Sequence, residues 1–180
     1  NAHFVNASYR QRLHAWVNRL MKDGPTEAKH HLASLDAAAE FERGIDAYER
    51  LEYAAALREF TDAARTDPAN PLAAAWRSRA AWLMRQDRVA VEAADAALRL
   101  LTPETAPATA LFARAVSAEA RRDTTMAEAL YRELAGLHHD DSPSMLELAA
   151  FQDRATKNRD AIASFQKVVA AGDVQQLAPD

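Results

Sequence analysis

Cysteine is absent from this chain, and glycine and proline are scarce, at 4 and 7 of 180 residues. The first absence excludes disulfides and thiolate metal sites and fits a reducing compartment, the cytoplasm first. A periplasmic location stays open if a leader has been trimmed ahead of Asn1, which is not a methionine. The second scarcity leaves too few turn residues for a sandwich or barrel of many short strands. No run approaches the ~20 apolar residues that cross a bilayer, so membrane insertion is not expected. Charge of one sign is missing too: 22 basic against 26 acidic side chains give a net −4, without the positive field that holds nucleic acid.

What is abundant is alanine, leucine, glutamate and arginine, all good helix formers. The hydrophobic fraction of 49% is enough for a core, but much of it is alanine, which brings backbones close and buries little area per residue. The expectation is an all-α chain held by many small contacts.

Small and aromatic residues recur at a fixed period. Gly44, Ala56, Phe60 and Ala63 lead to Asp67 and Pro68; Ser78, Ala90, Ala94 and Ala97 lead to Thr102 and Pro103. Ala115, Ala127, Tyr131 and Leu134 form a third set, and Ala149, Ala161, Phe165 and Val168 a fourth, with successive offsets of 34, 37 and 34. The three extra residues fall in the stretch 102–107, where Pro103 and Pro107 interrupt any helix, so they lengthen a loop and leave the helices in phase.

Each set describes two antiparallel helices. A small residue in the first, such as Gly44, lets the second approach at Ala56. A ring one turn further along the second helix, at Phe60, Tyr131 or Phe165, plugs the gap towards the next unit. The second unit has Ala94 there, and Trp76 or Trp82 is expected to supply the missing volume.

Residues 37–70, with Gly44, Tyr53, Ala56, Leu57, Phe60, Ala63 and the run Asp67, Pro68, Ala69, Asn70, resemble the tetratricopeptide repeat consensus. The other units keep the small residues and the period but lack the closing Asp-Pro and the early aromatic of the first helix. The resemblance covers about residues 37–171. It implies a right-handed superhelical solenoid of about four helix pairs, divided as 37–70, 71–107, 108–141 and 142–180, with 142–180 including a C-terminal tail. Residues 1–36 stand outside this register. Val5, Tyr9, Leu13, Trp16, Val17 and Leu20 form an amphipathic stripe there, expected to cap the stack or to link it to an upstream domain.

Motifs for chemistry are missing: there is no phosphate-binding glycine loop, H-E-x-x-H or EF-hand pattern. His138, His139, Asp140 and Asp141 are four potential ligands in a row, but adjacent side chains splay apart, and turn residues capping a helix fit better than a metal site. His30 and His31 point two ways along a helical run. Glu40 with Glu42 and Asp153 near Asp160 read as solvated helix faces. No catalytic residue, metal or cofactor is expected.

The resemblance instead implies a concave groove lined by the first helix of each unit, binding a protein or peptide. Its expected lining is Phe41, Ile45 and Tyr48; Trp76, Arg79, Trp82 and Leu83; Phe112, Val116 and Glu119; and Leu146, Asp153 and Arg154. Such an aromatic surface suits an apolar or amphipathic segment, and it lacks the lysine, asparagine and arginine array with which some relatives clamp a terminal carboxylate. Two other readings are open: a regulatory or dimerising domain of a larger bacterial signalling protein carrying a kinase or transcription factor, and an assembly scaffold of an envelope or secretion machine.

Overall fold

The computed structural model describes residues 35–137, 142–155, 160, 162–164 and 166–167. All regular structure among them is helical: α1 (Leu35–Glu49), α2 (Tyr53–Thr66), α3 (Pro71–Leu83), α4 (Asp87–Arg99), α5 (Pro107–Ala120), α6 (Thr124–Gly136) and α7 (Ser142–Arg154). Helical residues recur at Asp160, Ile162–Ser164, Gln166 and Lys167. The amphipathic stripe of residues 5–20, the two histidine pairs, and Ala161, Phe165 and Val168 lie outside the described residues. None of the described helices is long and apolar enough to cross a membrane.

Three connections follow one design. The first helix of each pair ends in a residue with positive φ, namely Leu51 (62°), Arg85 (58°) and Arg122 (62°). Around each, two backbone bonds close the helix end. Leu51 N–H donates to Tyr48 O and Glu52 N–H to Ala47 O, both at 2.9 Å; the pairs Arg85 to Trp82 with Gln86 to Ala81, and Arg122 to Glu119 with Asp123 to Ala118, repeat the pattern. This is the Schellman end, which glycine usually occupies. Its tight reversal turns α2, α4 and α6 back antiparallel along α1, α3 and α5.

Other ends are capped by side chains. Asn70 accepts from Leu72 N–H at 2.9 Å ahead of Pro71, whose missing donor costs nothing at the first helical position. Asp123 accepts from Met126 N–H at 3.0 Å to open α6. The insertion lies in the α4–α5 loop, where Thr105 N–H bonds Thr102 O (3.0 Å) and Thr105 Oγ1 accepts from Thr102 N–H (2.9 Å).

The helices stack as pairs side by side: each packs on the next in order, and α3 also packs on α5. The small residues do what close approach requires, with one refinement. Ser78 Oγ donates to Ala90 O at 2.7 Å, so the second pair touches backbone to side chain at the expected place. In the first pair, Gly44 faces a ring. A Cβ there would stand 2.5 Å from Phe60 Cε1, so glycine is required by Phe60 rather than by Ala56 alone.

Rings join the units. Phe60 lies 5.5 Å from Phe41 and stacks on Trp76 of the next unit at 5.6 Å, while Tyr131 meets Phe151 of its next unit at 4.9 Å. Where Ala94 leaves space, Trp82 packs against the small cluster of Ala81, Ala90, Ala94 and Ala120. Trp76 serves the first boundary and the third unit instead, touching Tyr48 at 5.0 Å and Phe112 at 5.3 Å.

Candidate functional site

The residues expected to line an open groove are mostly interior. Phe41, Ile45, Tyr48, Trp76, Arg79, Phe112, Val116 and Glu119 are buried, and Trp82 and Leu83 are half-buried. Asp153 is exposed and Arg154 half-buried, while the side chain of Leu146 lies outside what is described. The apolar members interlock with one another across units, which is why they are not free to face solvent.

Arg79 is the anomaly in this interior. At offsets of 34 and 37, it holds the place of Ile45 and Val116, so a guanidinium occupies a slot that is otherwise aliphatic. A buried charge must be paired. Its Nη1 donates to Glu147 of α7, and its Nη2 to the Tyr131 hydroxyl of α6. Glu119 of α5 stands 3.8 Å away. The rings of Phe112, Trp76 and Tyr131 surround its Cζ at 4.9, 5.4 and 5.5 Å, as a desolvated cation over aromatic faces prefers.

The network continues outward. The Tyr131 hydroxyl donates to Glu119 Oε2 at 2.8 Å, and Arg154 grips the same carboxylate through Nε at 2.8 Å and Nη2 at 3.2 Å. Two arginines and two glutamates thus form a neutral cluster drawing on α3, α5, α6 and α7. Its electrostatics follow. Burial pulls the Glu119 carboxyl upward, but Arg154 and Arg79 outweigh burial and hold it below the usual carboxylate range. Burial drives the Tyr131 hydroxyl well above the usual phenol range despite Arg79. Arg79 stays charged because Glu147 and the neighbouring hydroxyls and Glu119 overcome its own desolvation.

A second polar junction sits beside it. Glu128, buried on α6, accepts from Arg132 at 2.6 Å and from Gln152 at 3.3 Å, and Gln152 in turn accepts from Ser164 Oγ at 2.7 Å. Apart from Arg79 Nε, which is buried without a hydrogen-bond partner, the polar groups of both junctions are directed at one another, which suits holding helices in register rather than proton transfer to a substrate. Among the described residues no three His, Asp or Glu side chains gather to hold a metal.

Part of the charged cluster borders an open cavity. Trp82, Glu119, Arg122, Thr124, Phe151, Arg154 and Ala155 line an open cavity of about 220 Å³. It lies where the C-terminal ends of α3, α5 and α7 converge, so the end of one first helix from each of three units contributes. Two aromatic side chains supply apolar wall, and the Glu119–Arg154 pair supplies a fixed polar wall. Of the nine side chains Phe41, Ile45, Tyr48, Trp76, Arg79, Trp82, Phe112, Val116 and Glu119, the structure brings Trp82 and Glu119 to this opening. Phe151 and Arg122 were missed. Phe151 carries no period signal of its own, and Arg122 sits in a turn whose helix end is not visible in a hydrophobic pattern.

No family model and no curated protein matches the sequence. Among solved structures the chain is similar to a MamA RS-1 ArsTM double mutant, at 15% identity over 94% of this chain and 98% of that one, with a TM-score of 0.46. It is similar also to MamA, residue 41 to the end, from Desulfovibrio magneticus RS-1, at 15% identity over 94% and 96%, with a TM-score of 0.43. Likenesses at this level carry no functional weight, and the all-α array of helix pairs stands on this chain's own contacts.

Proposed function

We propose that the chain is a non-catalytic protein-binding module, in which the Trp82–Phe151 cavity receives an apolar side chain of an amphipathic peptide or helix. The cavity itself is the observation that supports this reading. At about 220 Å³ it is smaller than the roughly 300–1,000 Å³ of small-molecule and cofactor sites, and it suits one large side chain of a protein partner. A half-buried tryptophan beside a phenylalanine is the composition of a binding hot spot, where large rings bury area at little entropic cost. The walls are stiff, because Glu119 and Arg154 are fixed by the buried cluster, so binding orders few new groups.

Selection from a displayed random-peptide library tests it. Recovered peptides are expected to carry a Phe, Trp, Leu or Met anchor and to bind Trp82→Ala at least tenfold more weakly, a loss of about 1.4 kcal/mol or more. Circular dichroism must show the variant folded. Peptides whose affinity is indifferent to Trp82→Ala would place the site elsewhere.

A further inference from the structure

Arg122 lines the cavity, and Arg85 stands over the ring of Trp82, which forms part of its wall. Arg85 and Arg122 hold equivalent positions in successive turns, both at positive φ, where a side chain is disfavoured relative to glycine. Leu51 fills the same position in the first unit, so the turn has no chemical need of a guanidinium.

The cations at and beside the opening are matched to different degrees. Arg85 lies over the Trp82 ring at 5.9 Å, is exposed, and forms no ion pair among the described residues. Arg122 meets Asp87 at 2.8 Å, but both are more than half exposed, which makes that pair weak and easily exchanged. Arg154 spends Nε and Nη2 on Glu119, and Glu119, the one acid lining the cavity, is already shared with Arg79 and Tyr131. An aromatic cavity lined by Arg122 and Arg154, with the exposed Arg85 over its Trp82 wall, is complementary to an apolar group with a carboxylate beside it.

We infer that the occupant is an acidic amphipathic segment of a protein partner: its apolar side chain fills the cavity between Trp82 and Phe151, and an Asp or Glu side chain one helical turn away meets Arg85 and Arg122. This rests on the protein-binding reading of the cavity. The carboxylate is a side chain, met at the rim formed by the turns, and not a chain terminus clamped inside the array.

Two small probes that differ only in charge separate the parts: 3-phenylpropanoate and neutral 3-phenylpropanamide, titrated against the isotopically labelled full chain by NMR. The indole N–H of Trp82, identified by its loss in Trp82→Phe, is the reporter. Both probes are expected to shift it, the acid at about fivefold lower concentration, the scale of a pair of exposed charge contacts. The difference should fade in 0.5 M salt, by about which concentration exposed charges are largely screened. Arg85→Gln with Arg122→Gln, both at exposed turn positions, should bring the two probes level while circular dichroism stays unchanged. Equal binding of acid and amide to the unaltered chain would overturn the acidic occupant and leave the apolar cavity standing. If neither probe moves the Trp82 signal, the cavity does not accept an apolar group, and both readings fall.

Discussion

Replacing Arg79 by methionine should be among the most damaging single changes this chain can suffer, and a second change should undo most of the damage. The side chains of Arg79 and Glu147 are 1% and 3% exposed, so Arg79→Met leaves the Glu147 carboxylate buried without its cation. Removing one partner of such a pair typically costs about 3–5 kcal/mol, against about 5–15 kcal/mol of total stability for a domain. Glu119 is better insured, since Arg154 and Tyr131 still hold it. In the double variant Arg79→Met with Glu147→Met both charges are gone and similar volume remains, and apolar replacement of a whole pair is commonly neutral or stabilising. Urea titrations followed by circular dichroism and tryptophan fluorescence supply the four corners of the cycle. The double variant should lie close to the parent protein, so the coupling should approach the sum of the two single losses, at least about 3 kcal/mol. Additive losses would refute the reasoning. They would mean that Arg79 stabilises through its contacts with Trp76, Phe112 and Tyr131, and that the charge pair contributes little.

Gly44→Ala should destabilise by about 1–3 kcal/mol through the clash with Phe60, and Phe60→Leu in the same chain should recover part of that loss in the same urea assay. Leu51→Gly should raise stability by about 0.5–1 kcal/mol, because Leu51 is 69% exposed at positive φ and gives up little packing; a decrease would show that its side chain matters. Phe112→Ala, fully buried, should cost about 3–5 kcal/mol in the same titrations. The Glu119 carboxyl is held below its unfolded value, so its contribution is complete above about pH 4.3 and is lost as pH falls through the lower folded value. Acid titration of Glu119→Gln should therefore show a shallower stability loss below that pH than the parent protein.

The helix-pair period was legible because its signals are local. Small residues must recur wherever helices touch, and prolines can stand only where helices stop, so offsets of 34, 37 and 34 placed the insertion in the α4–α5 loop. The turn conformation was less legible: Leu51, Arg85 and Arg122 are poor predictors of positive φ, and only the two closing hydrogen bonds at each helix end show it. Arg79 was half legible. Its register with Ile45 and Val116 marks an arginine in an aliphatic slot, but which acids answer it depends on α5 and α7 arriving beside α3.

The sequence by itself determined an all-α chain of stacked helix pairs, because composition and periodicity act within a few turns of chain. The tertiary structure decided which faces stay open. Most of the side chains expected along a groove interlock in the interior, since rings from successive units find each other before solvent does. The opening formed at Trp82, Phe151 and the Glu119–Arg154 pair, groups up to 72 residues apart in sequence, where only the convergence of three helix ends could bring them together.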